Sequence, residues 1–395
     1  MKTISMFIKS VKTTLIPMVL LCFGLTFVSG QPVTNPNTLL LNISGNGYSD
    51  QTYVVIVPGS TFGFDSQYDA YKLMGIYAAP QLYSIINCCN LSVNAIPEIY
   101  NGMEVQLGCR FGAETTYTIE AYGLQTFGND TTIVLEDTET GTITSLMTDS
   151  VYSFTGYTTD PTTRFKLHFY CPMRFDIKLF LGGAWLSSGT MTNRFDIDDL
   201  LPNDQPYSGS PWNYAGTEHV ALFPYNNVTD WVLVELRDAA DAASANGTTV
   251  VEQQACLLLQ DGSIVSTDNE SLPLFTSVFT QQPFVVVYHR NHLPVLSAGP
   301  LTRNGGVYSW DFTTGAGQAY GTDALFEPEP GFFATRPGDA NADGLIDNDD
   351  KISFWQLIAG KAGYLSSDFN LDSEVNNLDK NGCWLPHLGF SSQLP

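Results

Sequence analysis

Acidic and amide side chains recur at fixed spacing near the C-terminus. The first such segment, Asp339–Asp350, has oxygen-bearing side chains at positions 1, 3, 5, 9 and 12, namely Asp339, Asn341, Asp343, Asp347 and Asp350. Leu345 at position 7 would contribute its backbone carbonyl, and Gly344 at position 6 permits the sharp turn that such a loop needs. A hard cation such as Ca²⁺ takes roughly six to eight oxygen ligands, so this spacing predicts a calcium site.

The second segment begins 29 residues later and repeats the pattern in the same register. Its oxygen-bearing positions are Asp368, Asn370, Asp372, Asn376 and Asp379, with Glu374 at position 7 offering its carbonyl. A repeat in one register argues against two accidental turns, so the sequence predicts two calcium ions. Ser373 replaces the glycine and Asn376 carries no charge, so we expect the second site to bind calcium more weakly than the first.

Both loops lie in Pro337–Pro395, which has nine acids and three lysines and thus a net charge of −6. Two calcium ions would cancel four of these charges, and so short a segment has little core of its own, so we expect calcium to fold it. Ile346 and Val375, each at position 8, are expected to pair across a short ladder. Apolar residues at helical spacing in Asp349–Ile358 predict a helix that packs between the loops.

The paired Asp-x-Asn-x-Asp loops resemble the dockerin family. In that family each loop–helix repeat binds one calcium ion, and one face docks onto a cohesin domain, often in complexes that degrade polysaccharides. The resemblance implies that the two loops hold the metal and that a cohesin-like protein, or another domain of the chain, is the partner. The ending Asp379–Gly389 resembles the tail of dockerin-like modules in exported Bacteroidetes proteins, and stretches such as Trp231–Arg237 are similar to modules of the same class of surface proteins.

His289-Arg290-Asn291-His292 is the most prominent group outside the loops, because histidines three residues apart can share a metal ion on a helix. Here the group follows the predicted strand Phe284–Tyr288 and Pro294 comes soon after it. We therefore expect a structural strand–turn role rather than a metal-binding or catalytic one.

Two further groups have a functional and a structural interpretation. Asp196, Asp198 and Asp199 could supply a glycosidase with paired carboxylates, but we expect a solvated turn. Four aromatic residues could form a sugar-stacking platform, but we expect them in the core: Trp185, Trp212, Tyr214 and Trp231. The sequence has no nucleophile elbow, phosphate loop or zinc-protease motif, so we predict no catalytic residue.

The elements that must position these residues are mainly strands. Apolar and polar residues alternate in Thr115–Ala121 and Arg164–Phe169, as in half-buried strands, and turn residues separate such runs at the spacing of a sandwich. We predict a mainly β protein. Its domains would be a β-sandwich-like (Ig-like) domain at residues 31–172, a second β-rich domain at 173–335 and a small α-helical dockerin-like module at 336–395.

The N-terminus predicts export. Met1–Lys12 carries three lysines and no acid, and an apolar run follows from Leu15 to Val28, which predicts a signal peptide at residues 1–30. Its removal would take away those three lysines and change the formal net charge from −23 to −26, which makes nucleic acid a poor partner. No other apolar stretch is long enough to span a bilayer, so we expect a secreted or cell-surface protein that does not cross the membrane. Six cysteines would remain and permit three disulfides.

These patterns predict an exported, non-catalytic calcium-binding protein. Its C-terminal module would dock onto a partner or stabilise the C-terminus, and its β-domains would bind at a surface, with a glycan as one candidate ligand. Two alternatives stay open. One is a glycoside hydrolase or carbohydrate-binding component of a polysaccharide-degrading system, and the other is a structural or adhesion protein of the cell surface.

Overall fold

The computed structural model describes residues 37–87, 89–128, 130–223 and 225–395. The predicted signal peptide and Cys88 lie outside these residues. The described chain is mainly β, with a large sheet system and a few short helices near the C-terminus, which confirms the predicted fold class.

The first unit is built on one large sheet, which has eleven strands among the described residues. They are β1 (Thr38–Gly45), β2 (Tyr48–Ile56), β3 (Ala70–Tyr71), β4 (Gln81–Ile86), β5 (Cys89–Ile96), β6 (Met103–Arg110), β7 (Thr115–Tyr122), β8 (Thr132–Asp137), β9 (Thr142–Ser145), β10 (Val151–Gly156) and β11 (Phe165–Tyr170). The strand order is β10-β7-β1-β2-β5-β4-β6-β11-β8-β9, and β3 pairs with β5. The β2–β5 pairing is parallel and the others are antiparallel.

This sheet folds back on itself around one apolar core. The ring of Phe154 on β10 lies 4.9 Å from that of Phe165 on β11, although the two strands are far apart in the strand order. The Tyr152 hydroxyl on β10 likewise donates to Asp137 at the end of β8, at 2.8 Å. Alternate residues of each strand fill the space between the layers, as period-two sequence patterns require, and the result is sandwich-like.

The second unit contains several smaller sheets. Its strands are β12 (Met173–Lys178), β13 (Trp185–Ser187), β14 (Thr190–Met191), β15 (Val228–Ala239), β16 (Val250–Leu259), β17 (Ile264–Val265), β18 (Leu274–Phe275), β19 (Gln282–His289), β20 (His292–Leu296), β21 (Thr302–Asn304), β22 (Val307–Asp311), β23 (Leu325–Glu329) and β24 (Phe332–Thr335). The main sheet has the order β17-β16-β15-β19-β20, and another has the order β18-β12-β22-β21. The long central strand β15 is buried almost throughout, and β19 and β20 join at a tight turn where His289 pairs with His292.

The helices are short. The second unit has α1 (Arg194–Ile197), and 3₁₀ turns occur at Leu124–Thr126, Phe312–Thr314 and Ala316–Gln318. Near the C-terminus a π-helical stretch, Asp350–Trp355, continues into α2 (Gln356–Ile358), and a second one, Asp379–Trp384, continues into α3 (Leu385–His387). The two helical segments follow the two acidic loops at the same 29-residue offset, so loop and helix repeat together.

The buried apolar residues of the two β units form separate clusters, one ending at Phe169 and the other beginning at Met173. The predicted domain boundaries stay predictions. Leu371, from the second acidic loop, belongs to the core cluster of the second unit. The second acidic loop is therefore packed against the second unit.

Cys109, Cys256 and Cys383 are buried thiols, and Cys171 is a half-buried one. These four cysteines form no disulfide, so the three bridges that the even count permits, which would need all six cysteines, are not formed. No helix in the described residues is long and apolar enough to span a membrane.

Candidate metal centre

The carboxylates at positions 1 and 12 organise the backbone of the first loop. Asp339 accepts hydrogen bonds from the amides of Asp343 (3.1 Å) and Gly344 (3.0 Å). Asp350 accepts from the amides of Ala340 (2.8 Å) and Asp347 (2.8 Å). The bonds to Asp350 join the two ends of the loop, and those to Asp339 hold the turn in its middle. An ionised carboxylate has about four lone-pair sites, so acceptor capacity remains for a metal ion.

The second loop repeats these contacts 29 residues later. Asp368 accepts from the amides of Asp372 (3.2 Å) and Ser373 (2.8 Å), and Asp379 accepts from those of Phe369 (2.7 Å) and Asn376 (2.7 Å). The backbone conformation repeats as well. Left-handed φ angles occur at position 4 in Ala342 (+55°) and Leu371 (+57°), and at position 6 in Gly344 (+84°) and Ser373 (+75°).

The other oxygen-bearing positions also match between the loops. At position 3, the side-chain amides of Asn341 and Asn370 donate to the position-5 carboxylates of Asp343 and Asp372 at 2.9 and 2.8 Å. At position 9, Asp347 and Asn376 accept from amides two residues further along the chain, each at 2.6 Å. The position-7 side chains, Leu345 and Glu374, are exposed, so a ligand from either residue would be its backbone carbonyl.

Four of the carboxylates are almost completely buried. Asp339 and Asp350 are each 1 % exposed, and Asp368 and Asp379 are each 0 % exposed. Burial, reinforced by neighbouring acids, raises the pKa of Asp339 and of Asp368 to about 8. Burial also raises the pKa of Asp350 and of Asp379 to about 6. Among the described residues none of the four takes part in an ion pair, and buried charges in proteins are usually paired or bound to a metal.

The donor set fits a hard cation rather than a soft one. Each loop offers carboxylate, amide and backbone oxygens and no thiolate or imidazole, which is the ligand chemistry that Ca²⁺ prefers. No group of three or more His, Cys, Asp or Glu side chains converges as a metal site in the part of the chain that the structure describes. A complete ligand set in either loop would therefore have to include the asparagines and backbone carbonyls.

The two repeats hold each other through reciprocal contacts. The indole N–H of Trp384, in the second repeat, donates to the carbonyl of Asp347 in the first loop at 2.7 Å. The indole N–H of Trp355, in the first repeat, donates to the carbonyl of Asn376 in the second loop at 3.0 Å. Of the apolar residues predicted to pack between the loops, Phe354 and Trp355 pack against the apolar cluster of the two repeats, whereas Ile352 is 54 % exposed.

The predicted ladder between Ile346 and Val375 is wrong. Ile346 exchanges backbone hydrogen bonds with Gly389 and Phe390, and Val375 does so with Gly360 and Lys361. Each position-8 residue thus pairs with the chain that follows the helix of the other repeat. The single-loop pattern does not contain this information, because the partner lies beyond the twelve residues that define it.

The turn between β19 and β20 carries the His289–His292 group and connects the loops to the second unit. The side-chain amide of Asn291 donates to the carbonyls of Ser366 (3.0 Å) and Asp368 (2.6 Å). Arg290 donates to the carbonyl of Leu365, and its guanidinium lies 4.2 Å from the centroid of the Tyr364 ring. We call this turn, together with its partners Asp230 and residues 364–368, the clamp.

Asp230 on β15 is the charged centre of the clamp. It is 0 % exposed and accepts from Arg290 Nε (2.9 Å), His289 Nε2 (3.1 Å) and the Tyr364 hydroxyl (2.6 Å). Burial alone would raise its pKa, but the charge of Arg290 and these hydrogen bonds outweigh burial and lower the pKa of Asp230 to about 2. The carboxylate is therefore ionised and fully partnered at neutral pH.

Both histidines of the clamp have their ring nitrogens engaged. His289 Nε2 faces Asp230, and His289 Nδ1 lies 3.0 Å from His292 Nδ1. His292 Nδ1 also lies 2.8 Å from the Asn291 amide oxygen, and His292 Nε2 accepts from the Gly183 amide at 3.0 Å. One tautomer of each neutral ring is compatible with all four contacts: His289 donates from Nε2, and the single N–H of His292 at Nδ1 is shared between His289 Nδ1 and the Asn291 oxygen. No ring nitrogen remains for a metal ion, so the observed role is structural.

The remaining sequence candidates do not converge on one site. Asp196 is buried and accepts from the Val228 amide, whereas Asp198 bonds Arg194 and lies 3.3 Å from the Ser373 hydroxyl. Among the aromatic residues, Trp231 is fully buried, and Trp185 packs against Phe180 and Phe332. Tyr214 bonds Glu218, and Trp212 lines a cleft described below.

Sequence reasoning missed Asp230 and Tyr364. A signal for Asp230 was present, because an acid inside the long apolar run of β15 needs a buried partner. Nothing in the sequence marked Tyr364, whose partner lies 134 residues away.

Residues 29–169 match the model of a domain of unknown function, DUF8693. This match covers the first β unit and does not reach the clamp or the loops. No curated protein and no solved structure matches the chain.

Proposed function

We propose that residues 337–395 form a dockerin-like calcium module of an exported, non-catalytic protein, and that calcium holds this module against the second β unit. The observation that carries the proposal is the repetition of one hydrogen-bond pattern, 29 residues apart, around four buried carboxylates that have no ion-pair partner among the described residues. Each loop would hold one ion through its five oxygen-bearing side chains and the position-7 carbonyl. Calcium would supply the positive charge that these carboxylates lack.

The clamp supports a stabilising role for the module. Asn291 is 0 % exposed, and one of its bonds reaches the carbonyl of Asp368, the first residue of the second loop. Leu371 of the same loop packs in the core of the second unit. Ordering of the second loop by calcium would therefore also order the surface that packs on the second unit, which couples calcium binding to the stability of that unit.

Hydrogen–deuterium exchange of the full chain, with excess calcium and with chelator, tests both parts of this proposal. We expect calcium to slow amide exchange in 339–350 and 368–379, because the metal would close both loops. We also expect slower exchange in 289–293 and 364–368, which contain the two sides of the clamp. Strands β1 and β7 of the first unit serve as an internal control and should not respond.

The outcomes separate the two parts. Identical exchange in all four segments with and without calcium would refute the calcium sites. Protection of the loops without any change in the clamp would refute the stabilising role and leave the metal sites standing. Magnesium at the same concentration should protect less, since it demands six-coordinate geometry and dehydrates reluctantly.

Docking onto a separate cohesin-like protein is the second candidate role. Four apolar side chains on or beside the two helices are more than half exposed: Ile352, Leu357, Leu378 and Leu385. These residues remain accessible to a partner protein while the contacts of the clamp are formed. Capture of a cohesin domain by the full chain in calcium, and its loss when Leu357 and Leu378 are both changed to Ser, would favour this role.

A further inference from the structure

A cleft of about 310 Å³ lies where the first acidic loop meets the second β unit. One wall is the face of the main sheet, with Glu235, Gln253 and Tyr288. The loop residues Ala342–Gly344 and the C-terminal tail form the opposite wall, and Pro211 and Trp212 close one side. The volume is at the lower end of the roughly 300–1,000 Å³ typical of small-molecule sites.

The aromatic side chains give the cleft apolar surface that is still accessible. Trp212 is half-buried, and its ring packs edge-on against that of Tyr207, with centroids 5.0 Å apart. Tyr288 is also half-buried, and its hydroxyl contacts Arg237 (3.0 Å) and Glu235 (3.2 Å). These contacts hold both rings in place, so an apolar ligand face would meet ordered aromatic surface.

The charges in the cleft are compensated. Glu235 forms an ion pair with Arg237 at 2.8 Å and accepts from the side-chain amide of Gln253 at 2.6 Å. His289 and His292 also line the cleft, and burial lowers the pKa of both, which favours their neutral forms. No lysine or arginine is among the lining residues, which disfavours an anionic ligand. Asp339 and Asp343 would be neutralised by calcium, a point that rests on the proposed function.

We propose that this cleft binds a neutral saccharide. The C–H face of a sugar ring is apolar and packs against aromatic surface, while its hydroxyl groups exchange hydrogen bonds with amide and carboxylate side chains. Trp212 and Tyr288 supply the first kind of surface, and the half-buried side-chain amide of Gln253, held by its bond to Glu235, supplies the second. A cationic amine is the competing ligand class, but the carboxylate of Glu235 already has a guanidinium and an amide as partners.

Saturation-transfer NMR of the full chain in calcium tests the proposal with neutral disaccharides as probes: maltose, cellobiose, lactose, xylobiose and mannobiose. We expect at least one of them to bind, and Trp212→Ala to weaken that binding at least tenfold. Trp310→Ala is the matched control, because Trp310 lines a separate cavity of about 340 Å³ and its loss should leave the affinity unchanged. Ser392→Trp, which places a large ring at the tail wall, should block binding without touching Trp212.

Absence of binding for all five sugars would overturn the proposal, as would binding of spermidine in their place. Sugar binding that survives both Trp212→Ala and Ser392→Trp, or that is lost with Trp310→Ala, would place the site elsewhere. Thermal unfolding of each variant establishes that it is folded. If Trp212→Ala does not fold, the effect of Ser392→Trp on sugar binding decides the test. Failure of the calcium proposal would show in amide exchange, so the two failures are distinguishable.

Discussion

Among single residues, position 6 is where the two loops differ most in backbone cost. Gly344 and Ser373 both have left-handed φ angles, +84° and +75°. Such a conformation costs an ordinary L-residue about 1–2 kcal/mol, whereas glycine adopts it freely. The sequence identified this difference because the bend at position 6 belongs to the ligand pattern itself. The structure adds that the Ser373 hydroxyl lies 3.3 Å from Asp198 on the second unit.

Replacement of Ser373 by glycine should therefore tighten the second calcium site. We expect Ser373→Gly to raise the affinity of that loop about fivefold, equivalent to about 1 kcal/mol, after loss of the weak contact with Asp198. Gly344→Ser is the mirror-image control and should weaken the first loop by a similar factor. Calorimetric titration of calcium into the metal-free full chain measures both sites. Weaker binding in Ser373→Gly would mean that the Asp198 contact matters more than the backbone strain.

At the level of elements, the sequence predicted the repeated loops but not the contacts that connect one repeat to the other. The two loops, the helix after the first loop and the alternating strands follow from local spacing, and the structure contains all of them. The reciprocal bonds of Trp355 and Trp384, and the pairing of Ile346 and Val375 with the ends of the opposite repeats, are contacts between repeats. The spacing of residues within one repeat does not specify contacts with the other repeat. The clamp was missed for the same reason, since Asp230 and Arg290 are 60 residues apart.

The crossed tryptophans predict a crossed effect of mutation. Trp355→Phe keeps an aromatic ring, smaller than the indole, but removes the donor to Asn376 of the second loop, so we expect it to weaken calcium binding in the second loop more than in the first. Trp384→Phe should do the reverse, because its donor serves Asp347 of the first loop. Loss of one hydrogen bond to a carbonyl corresponds to about 1 kcal/mol, or about a fivefold change in affinity. The amide signals of Gly344 and Ser373 in NMR titrations report the two loops separately. If each substitution instead weakened calcium binding mainly in the loop of its own repeat, that result would contradict the crossed arrangement.

Across the whole molecule, the junction between the second unit and the C-terminal segment buries three neutral histidines. Burial lowers the pKa of His289 and takes that of His292 well below its ordinary value. Burial, together with the charge of Arg336, lowers the pKa of His387 to about 4. His387 Nδ1 lies 3.1 Å from a guanidinium nitrogen of Arg336 and accepts its hydrogen bond, so a proton on that nitrogen would break the contact.

These lowered pKa values predict that the folded state loses stability in mild acid. An unfolded chain takes up protons on its histidines below about pH 6.5, whereas folded His387 stays neutral until about pH 4. The stability is therefore fully present above pH 6.5, falls as the pH decreases toward 4 and levels off below that value. For His387 alone the loss between pH 7.5 and pH 5 is about 2 kcal/mol. His289 and His292 act in the same direction.

Urea unfolding at constant free calcium between pH 7.5 and pH 5 measures this loss, and His387→Gln isolates the contribution of one histidine. Glutamine keeps an acceptor for Arg336 but does not titrate, so the variant should lose about 2 kcal/mol less than the unmodified protein over the same range. Because both proteins carry the same acidic loops, any effect of pH on calcium binding cancels in the comparison. Equal losses in the two proteins would show that His387 takes up its proton in the folded state, and that the packing of Phe326 and Phe390 around it tolerates the charge.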